Sequence, residues 1–156
     1  MTKQQAFLYN ELPALIDKVQ ENSQPRWGKM TAQHMLEHLS GVNYLALGKI
    51  TAKLEIPEEQ VPRAQAWLAS DKMFRKNIRL DALPEEPSPL RFADIEEAKS
   101  KAKGTLQRFK SHFDQQPEFK AMHPAFGMLT RDQWEQFLYK HYRHHLAQFG
   151  IIELET

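Results

Sequence analysis

The residues of this chain best suited to chemistry are its histidines. There are 7 of them in 156 residues, and no cysteine. Four fall in two short segments as pairs four apart: His34 with His38, and His141 with His145. On an α-helix that spacing places both members of a pair on one side. Taking Trp134 as the origin of a helical wheel, Leu138 falls at about 40°, His141 at about 340°, His145 at about 20° and Phe149 at about 60°. His141 and His145 therefore lie in the middle of an apolar face, with Gln148 near 320° also inward and His144 near 280° at the edge. With Met35 as origin of the earlier segment, Leu39 falls at about 40°, Val42 at about 340°, His38 at about 300° and His34 at about 260°. His38 is then the inward member of its pair, and His34 a first-turn surface group or a neighbour of a site.

Two imidazoles four apart on one helix face are the donors a metal ion takes from a single helix. Each pair alone has a plainer reading, as a hydrogen-bonded core histidine or one lining a wet groove. Three inward imidazoles on two helices are harder to explain that way, because a desolvated cluster without a metal leaves acceptors unmatched. Three histidines with an open position form a catalytic type of site, and neutral imidazole suits Zn or Ni. Tyr142 stands where a zinc-protease helix needs Glu, and there is no Glu-x-x-His anywhere, so neither the zincin nor the di-iron carboxylate arrangement applies. Gln148 and His144 are candidates to orient a ligand imidazole. His123, in the segment HPAFG, reads either as a loop cap or as a proton-transfer or substrate-orienting group beside the open position. His112 reads as exposed. Glu37 points away from His38 in projection, and no inward carboxylate stands out as a general base.

Helices must position these groups. Phe7, Leu8, Leu12, Leu15, Ile16 and Val19 predict a first helix over 3–20, kinked or started late at Pro13. Thr31 as N-cap and Gly48 as stop bound a second, and Arg63–Ala69 is a shorter third. Residues 71–80 are ambiguous, and the three prolines of 81–93 predict an extended crossover. Asp94 with Glu97 opens a fourth helix, whose stripe runs Ile95, Ala98, Ala102, Leu106, Phe109 and Phe113. Residues 115–128 read as a loop, and Thr130 with Gln133 opens the last helix, which ends near Phe149 with Gly150 beyond it. No segment alternates convincingly as a strand. The expectation is one all-α domain over 1–156, a four-helix bundle with a long Pro-containing crossover.

Composition narrows the function classes. Net charge is +1, against a dedicated nucleic-acid binder. No apolar run reaches the roughly 18–20 residues of a membrane span, and the first residues lack a signal-peptide core, so a cytoplasmic protein without a membrane partner is expected. Without cysteine there is no thiolate nucleophile or ligand within the chain. Trp27, Trp67, Trp134 and Phe137 read as core, and Lys72, Arg75, Lys76 and Arg79 as a solvated basic face.

The run WGKMTAQ at 27–33 leading into MLEHL at 35–39, HPAFG at 123–127 and HYRHHLAQFG at 141–150 together resemble the DinB/YfiT-like superfamily of helical-bundle metalloenzymes, closest to a branch known only as a domain of unknown function. The resemblance implies an up-down-down-up four-helix bundle holding a divalent metal on one histidine of the second helix and two of the last, which here are His38, His141 and His145. It further implies chemistry of thiol-dependent S-transferase, thiol-dependent isomerase or hydrolase type, with an external low-molecular-weight thiol as a further cofactor. Such relatives often dimerise, so a homodimer is one expected state.

The leading expectation is thus a divalent-metal transferase or hydrolase acting on a small molecule, with His123 and His144 assisting. The rivals are a non-catalytic helical metal- or small-molecule-binding protein and a plain structural bundle.

Overall fold

The protein, seen as a computed structural model, is described over residues 1–75 and 87–154. Lys76, Arg79 and the first part of the Pro-rich crossover lie outside the described residues.

The fold is mostly helical. Helix α1 runs through Lys3–Gln5, Ala6–Glu11 and Leu12–Asp17 without a break. Its middle stretch is π-helical, and the Leu12 N–H donates to Phe7 O. Pro13 therefore does not start the helix, which is already under way when the chain reaches it. A proline ring collides with the carbonyl four residues back, and widening the preceding turn makes room for it. Thr31 caps α2 (Ala32–Ala46), and the box is closed by His34, whose backbone N–H donates to Thr31 Oγ1 at 3.2 Å while the Thr31 N–H donates to its Nδ1 at 3.3 Å. His34 is thereby occupied at the helix start. A short 3₁₀ turn, Glu58–Gln60, leads into α3 (Val61–Ala69), which begins two residues earlier than its pattern suggested because Pro62 fits the first turn.

Helix α4 (Ile95–Gln115) starts at Asp94, whose side chain accepts the Glu97 N–H at 2.8 Å. All six residues of its predicted stripe are buried. The segment expected to be a loop contains a hairpin instead: β1 (Ala121–His123) pairs antiparallel with β2 (Gly127–Leu129), Met122 opposite Met128. Strands of three residues are too short for alternation to register. Helix α5 (Arg131–Gln148) is capped by Thr130 and Gln133.

The longest interface runs between α2 and α4, with α5 touching α1, α2 and α3. One apolar core joins them, centred on Trp134, Tyr142, Phe109, Phe113, Leu36 and Leu39. Trp27 and Trp67 are only half-buried, unlike the core residues their size suggested: Trp27 lies at the rim of the histidine region, 5.4 Å from His144, and Trp67 packs on Phe74 and Phe126. His112 is half-buried rather than exposed, since Phe119 packs on its ring at 4.5 Å. Lys72 and Arg75 are exposed. Among the described residues no helix is long and apolar enough to cross a membrane.

Two polar ties set where α2 lies. Asn43 Nδ2, fully buried, donates to Tyr142 OH at 2.7 Å and to Thr105 Oγ1 at 3.0 Å, linking α2 to α5 and α4. Glu37, only 5% exposed, accepts the backbone N–H of Arg91 at 2.7 Å and of Phe92 at 3.2 Å, and the Gln33 amide at 3.0 Å. Burial pushes its pKa up, but the Arg91 N–H, Gln33 and the Phe92 N–H, with the Arg91 charge, outweigh that and hold it below the ordinary carboxylate value. This carboxylate fastens the end of the crossover onto α2 beside His38. Replacing Glu37 by Ala removes charge-assisted hydrogen bonds worth about 1.5–3 kcal/mol each before relaxation. Glu37→Ala is therefore expected to lose about 3 kcal/mol in urea denaturation, with Glu37→Gln losing less; an unchanged midpoint would show that the carboxylate anchors nothing.

Candidate metal centre

The apolar faces of α2 and α5 meet where His38, His141 and His145 stand. The ligand atoms of all three lie within 4.8 Å of one another. His38 Nε2 is 2.9 Å from His141 Nε2, and His141 Nε2 is 3.1 Å from His145 Nε2. The rings stand at 73°, 79° and 85° to each other, so they meet by their nitrogen edges and not by stacking. His141 and His145 are buried and His38 is half-buried.

The protonation pattern follows from neighbours. Gln148 Nε2 donates to Trp27 O at 2.8 Å, which fixes its amide so that Oε1 faces His145 Nδ1 at 2.7 Å. An amide oxygen only accepts, so His145 Nδ1 carries the hydrogen and Nε2 presents its lone pair to the centre. Gly28 makes this possible: its φ is +83°, and a Cβ there would lie 2.9 Å from Gln148 Nε2. Burial pushes the His38 pKa down to about 4, with the His144 charge adding to it. Burial, then the neighbouring imidazoles, push His141 well below its ordinary value. The same forces, opposed by the Gln148 hydrogen bond, act on His145. All three rings are neutral at pH 7.

Hydrogen bonds alone cannot satisfy this cluster. His141 has one hydrogen to give, and it faces two Nε2 atoms; whichever tautomer it takes, its buried Nδ1 has no partner among the described residues. Two donors about 2.0–2.1 Å from one ion at angles between square and tetrahedral stand roughly 2.9–3.4 Å apart. The separations of His141 from His38 and from His145 fit that chord, and the ligand atoms of all three lie within 4.8 Å of one another, so the three histidines can hold a metal ion.

The other expected residues surround this centre without joining it. His144, half-buried, packs against Trp27 at 5.4 Å, Phe74 at 6.0 Å and His145 at 5.1 Å, and its Nδ1 is buried and unpartnered among the described residues. Burial lowers its pKa, against a backbone hydrogen bond with Phe74. His123 accepts the Ala125 N–H on Nδ1 at 3.0 Å and so caps the hairpin turn. Its ring lies 4.3 Å from that of Phe137, which in turn stacks on His141 at 5.1 Å. With Nδ1 spent, neutral His123 carries its hydrogen on Nε2 and is a donor, not a base; burial pushes its pKa down to about 4. Phe74, from the irregular stretch after α3, sits 6.4 Å from His141 and was not legible as a site residue, since nothing in its local pattern sets it apart. Gly28 was missed for the same reason.

Fold and site together define a helical protein with a three-histidine centre able to hold a metal ion. The chain belongs to the family described as "Protein of unknown function (DUF1569)", whose model matches residues 62–150, more than half of its length. The match takes in His123, His141, His144 and His145, whereas His38 lies before it. No curated protein matches the chain, and no solved structure does.

Two outcomes follow. Removing an outer hydrogen-bond partner of a ligand histidine costs about 10–100-fold in metal affinity, so Gln148→Leu should weaken zinc binding by that factor in a competition titration while its circular dichroism stays unchanged. The depressed folded-state pKa values of His38 and His123 mean that the unfolded chain binds more protons between about pH 6.5 and 4, so stability must fall as pH drops through that window. Urea midpoints of the metal-free chain should decrease from pH 7 to pH 5; a flat profile would mean that the rings are solvated.

Proposed function

We propose that this chain is a divalent-metal enzyme with a DinB/YfiT-like four-helix-bundle fold, acting on a small molecule in the cytoplasm as a thiol-dependent S-transferase or a hydrolase. The observation that carries the reading is the convergence of His38, His141 and His145 on one point through their Nε2 atoms. Zn or Ni fits a set of neutral imidazoles. When bound, such an ion lowers the pKa of a water or an external thiol and acts as a Lewis acid.

The chain's own residues do the remaining work. Gln148 keeps His145 Nδ1 protonated and its Nε2 directed inward. Phe74, Phe137 and Trp27 wall the centre and keep bulk water from the imidazoles. His144 stands beside His145 with its Nδ1 unpartnered among the described residues, and His123 offers an N–H rather than a lone pair.

Between the two reaction types, thiol transfer is favoured. The two buried carboxylates of the described residues are both committed elsewhere: Glu37 to Arg91 and Phe92, Glu135 to Tyr9 at 2.7 Å and Gln5 at 3.2 Å. A metal-bound water can ionise near neutral pH, but hydrolysis also calls for a group to relay protons to the leaving group, whereas a thiol is the more acidic nucleophile from the start. With no cysteine of its own, the chain would draw that thiol from solution.

Untagged protein reconstituted with zinc or nickel should hold one ion per chain by elemental analysis. His38→Ala, His141→Ala and His145→Ala should each lose it, and His34→Ala should keep it. The loaded protein should then conjugate a small thiol to an electrophile. No metal above background after reconstitution would remove the reading; metal retained without conjugation or hydrolysis would leave a metal-binding protein that is not an enzyme.

A further inference from the structure

A cavity of about 510 Å³ lies beside the stretch that carries Phe74. Met73 lines this cavity while its neighbour Phe74 packs on His141 and His144, so the two adjacent side chains serve two different spaces. The walls bring together Lys3, Asp71, Tyr139, Lys140 and Arg143. Lys3 and Asp71 approach at 3.8 Å and offset each other. Lys140 and Arg143, three apart on α5, have no carboxylate in contact among the described residues. Arg143 Nη1 donates to Tyr139 OH at 3.1 Å and its guanidinium lies 5.0 Å from that ring.

Lys140 is the unusual group. It is 1% exposed, and its ammonium donates to Trp67 O at 3.3 Å and Lys72 O at 2.5 Å while lying 4.3 Å over the Trp67 ring. An ammonium has three hydrogens, and only two of them meet carbonyls. Carbonyls and a ring face satisfy a buried cation only in part. Two positive groups, one desolvated, line a cavity whose only acid among the described residues, Asp71, already faces Lys3, and so make a site for negative charge.

We propose that this cavity binds a small organic anion, a carboxylate or phosphate monoester, its head on Arg143 and Lys140 and its apolar body along Tyr139, Met73 and Leu154. The site needs no metal and stands whether or not the three histidines hold one.

The test titrates phenyl phosphate, benzoate and the neutral isostere benzamide into the full chain, metal-free and zinc-loaded, by calorimetry and amide NMR. At least one anion should saturate in both forms, shifting α5 amides around 139–143, and benzamide should not. Binding of one anion and not the other supports the site and names its head group. Arg143→Gln should weaken binding by about tenfold or more, and Lys140→Met likewise; the half-buried position of Arg143 keeps the first variant informative if the second fails to fold. No saturation by either anion up to about 10 mM would overturn the proposal. So would equal binding of benzamide, or undiminished binding in a folded Arg143→Gln. Binding confined to the zinc-loaded form and lost in His141→Ala would place the anion on the histidines and likewise overturn it.

Discussion

Three neutral imidazoles sharing one desolvated point is a costly arrangement, and most of the structure around it serves to keep it. Water would hydrate each ring nitrogen. Edge to edge, the Nε2 atoms of His38 and His145 each stand about 3 Å from that of His141, with too few hydrogens between them. Burial keeps the rings uncharged, which protects their lone pairs from protons and leaves them for a cation. The same desolvation that weakens the metal-free protein thus prepares the donors.

Holding such a point requires that two helices far apart in sequence keep a fixed register. Apolar packing alone permits helices to slide by small amounts, whereas the Asn43–Tyr142 contact specifies a direction and a distance between α2 and α5. Glu37 adds a constraint from the opposite side, tying the returning chain at 91–92 one residue from His38. Both ties are buried polar contacts, which specify one arrangement more sharply than they stabilise it.

The helices were readable because their ends carry their own chemistry: Thr31, Asp94 and Thr130 bond the N–H groups that a helix start leaves free, and the apolar stripes between follow the helical period. His38, His141 and His145 were readable because a wheel projection depends only on that period. What escaped depends on contacts that no local pattern records. The hairpin at 121–129 is held by a turn and by Trp134 Nε1 donating to Ala121 O, over strands too short to alternate. The π-turn that carries the chain past Pro13 is a compromise between a steric clash and continuing burial. Glu37 could be read only as pointing away from His38, because its backbone partners arrive from more than fifty residues away. His123 could be placed in a turn, but which nitrogen the turn would consume became clear only from the Ala125 contact.

The small residue at position 28 gives the centre an outlying control. Its bare backbone lets the Trp27 carbonyl reach the Gln148 amide, the amide sets the proton on His145, and that proton decides which nitrogen faces inward. The electronic character of a donor is therefore written in a connecting loop more than a hundred residues upstream. Drift in that loop could retune the grip on a cation while every histidine stayed in place.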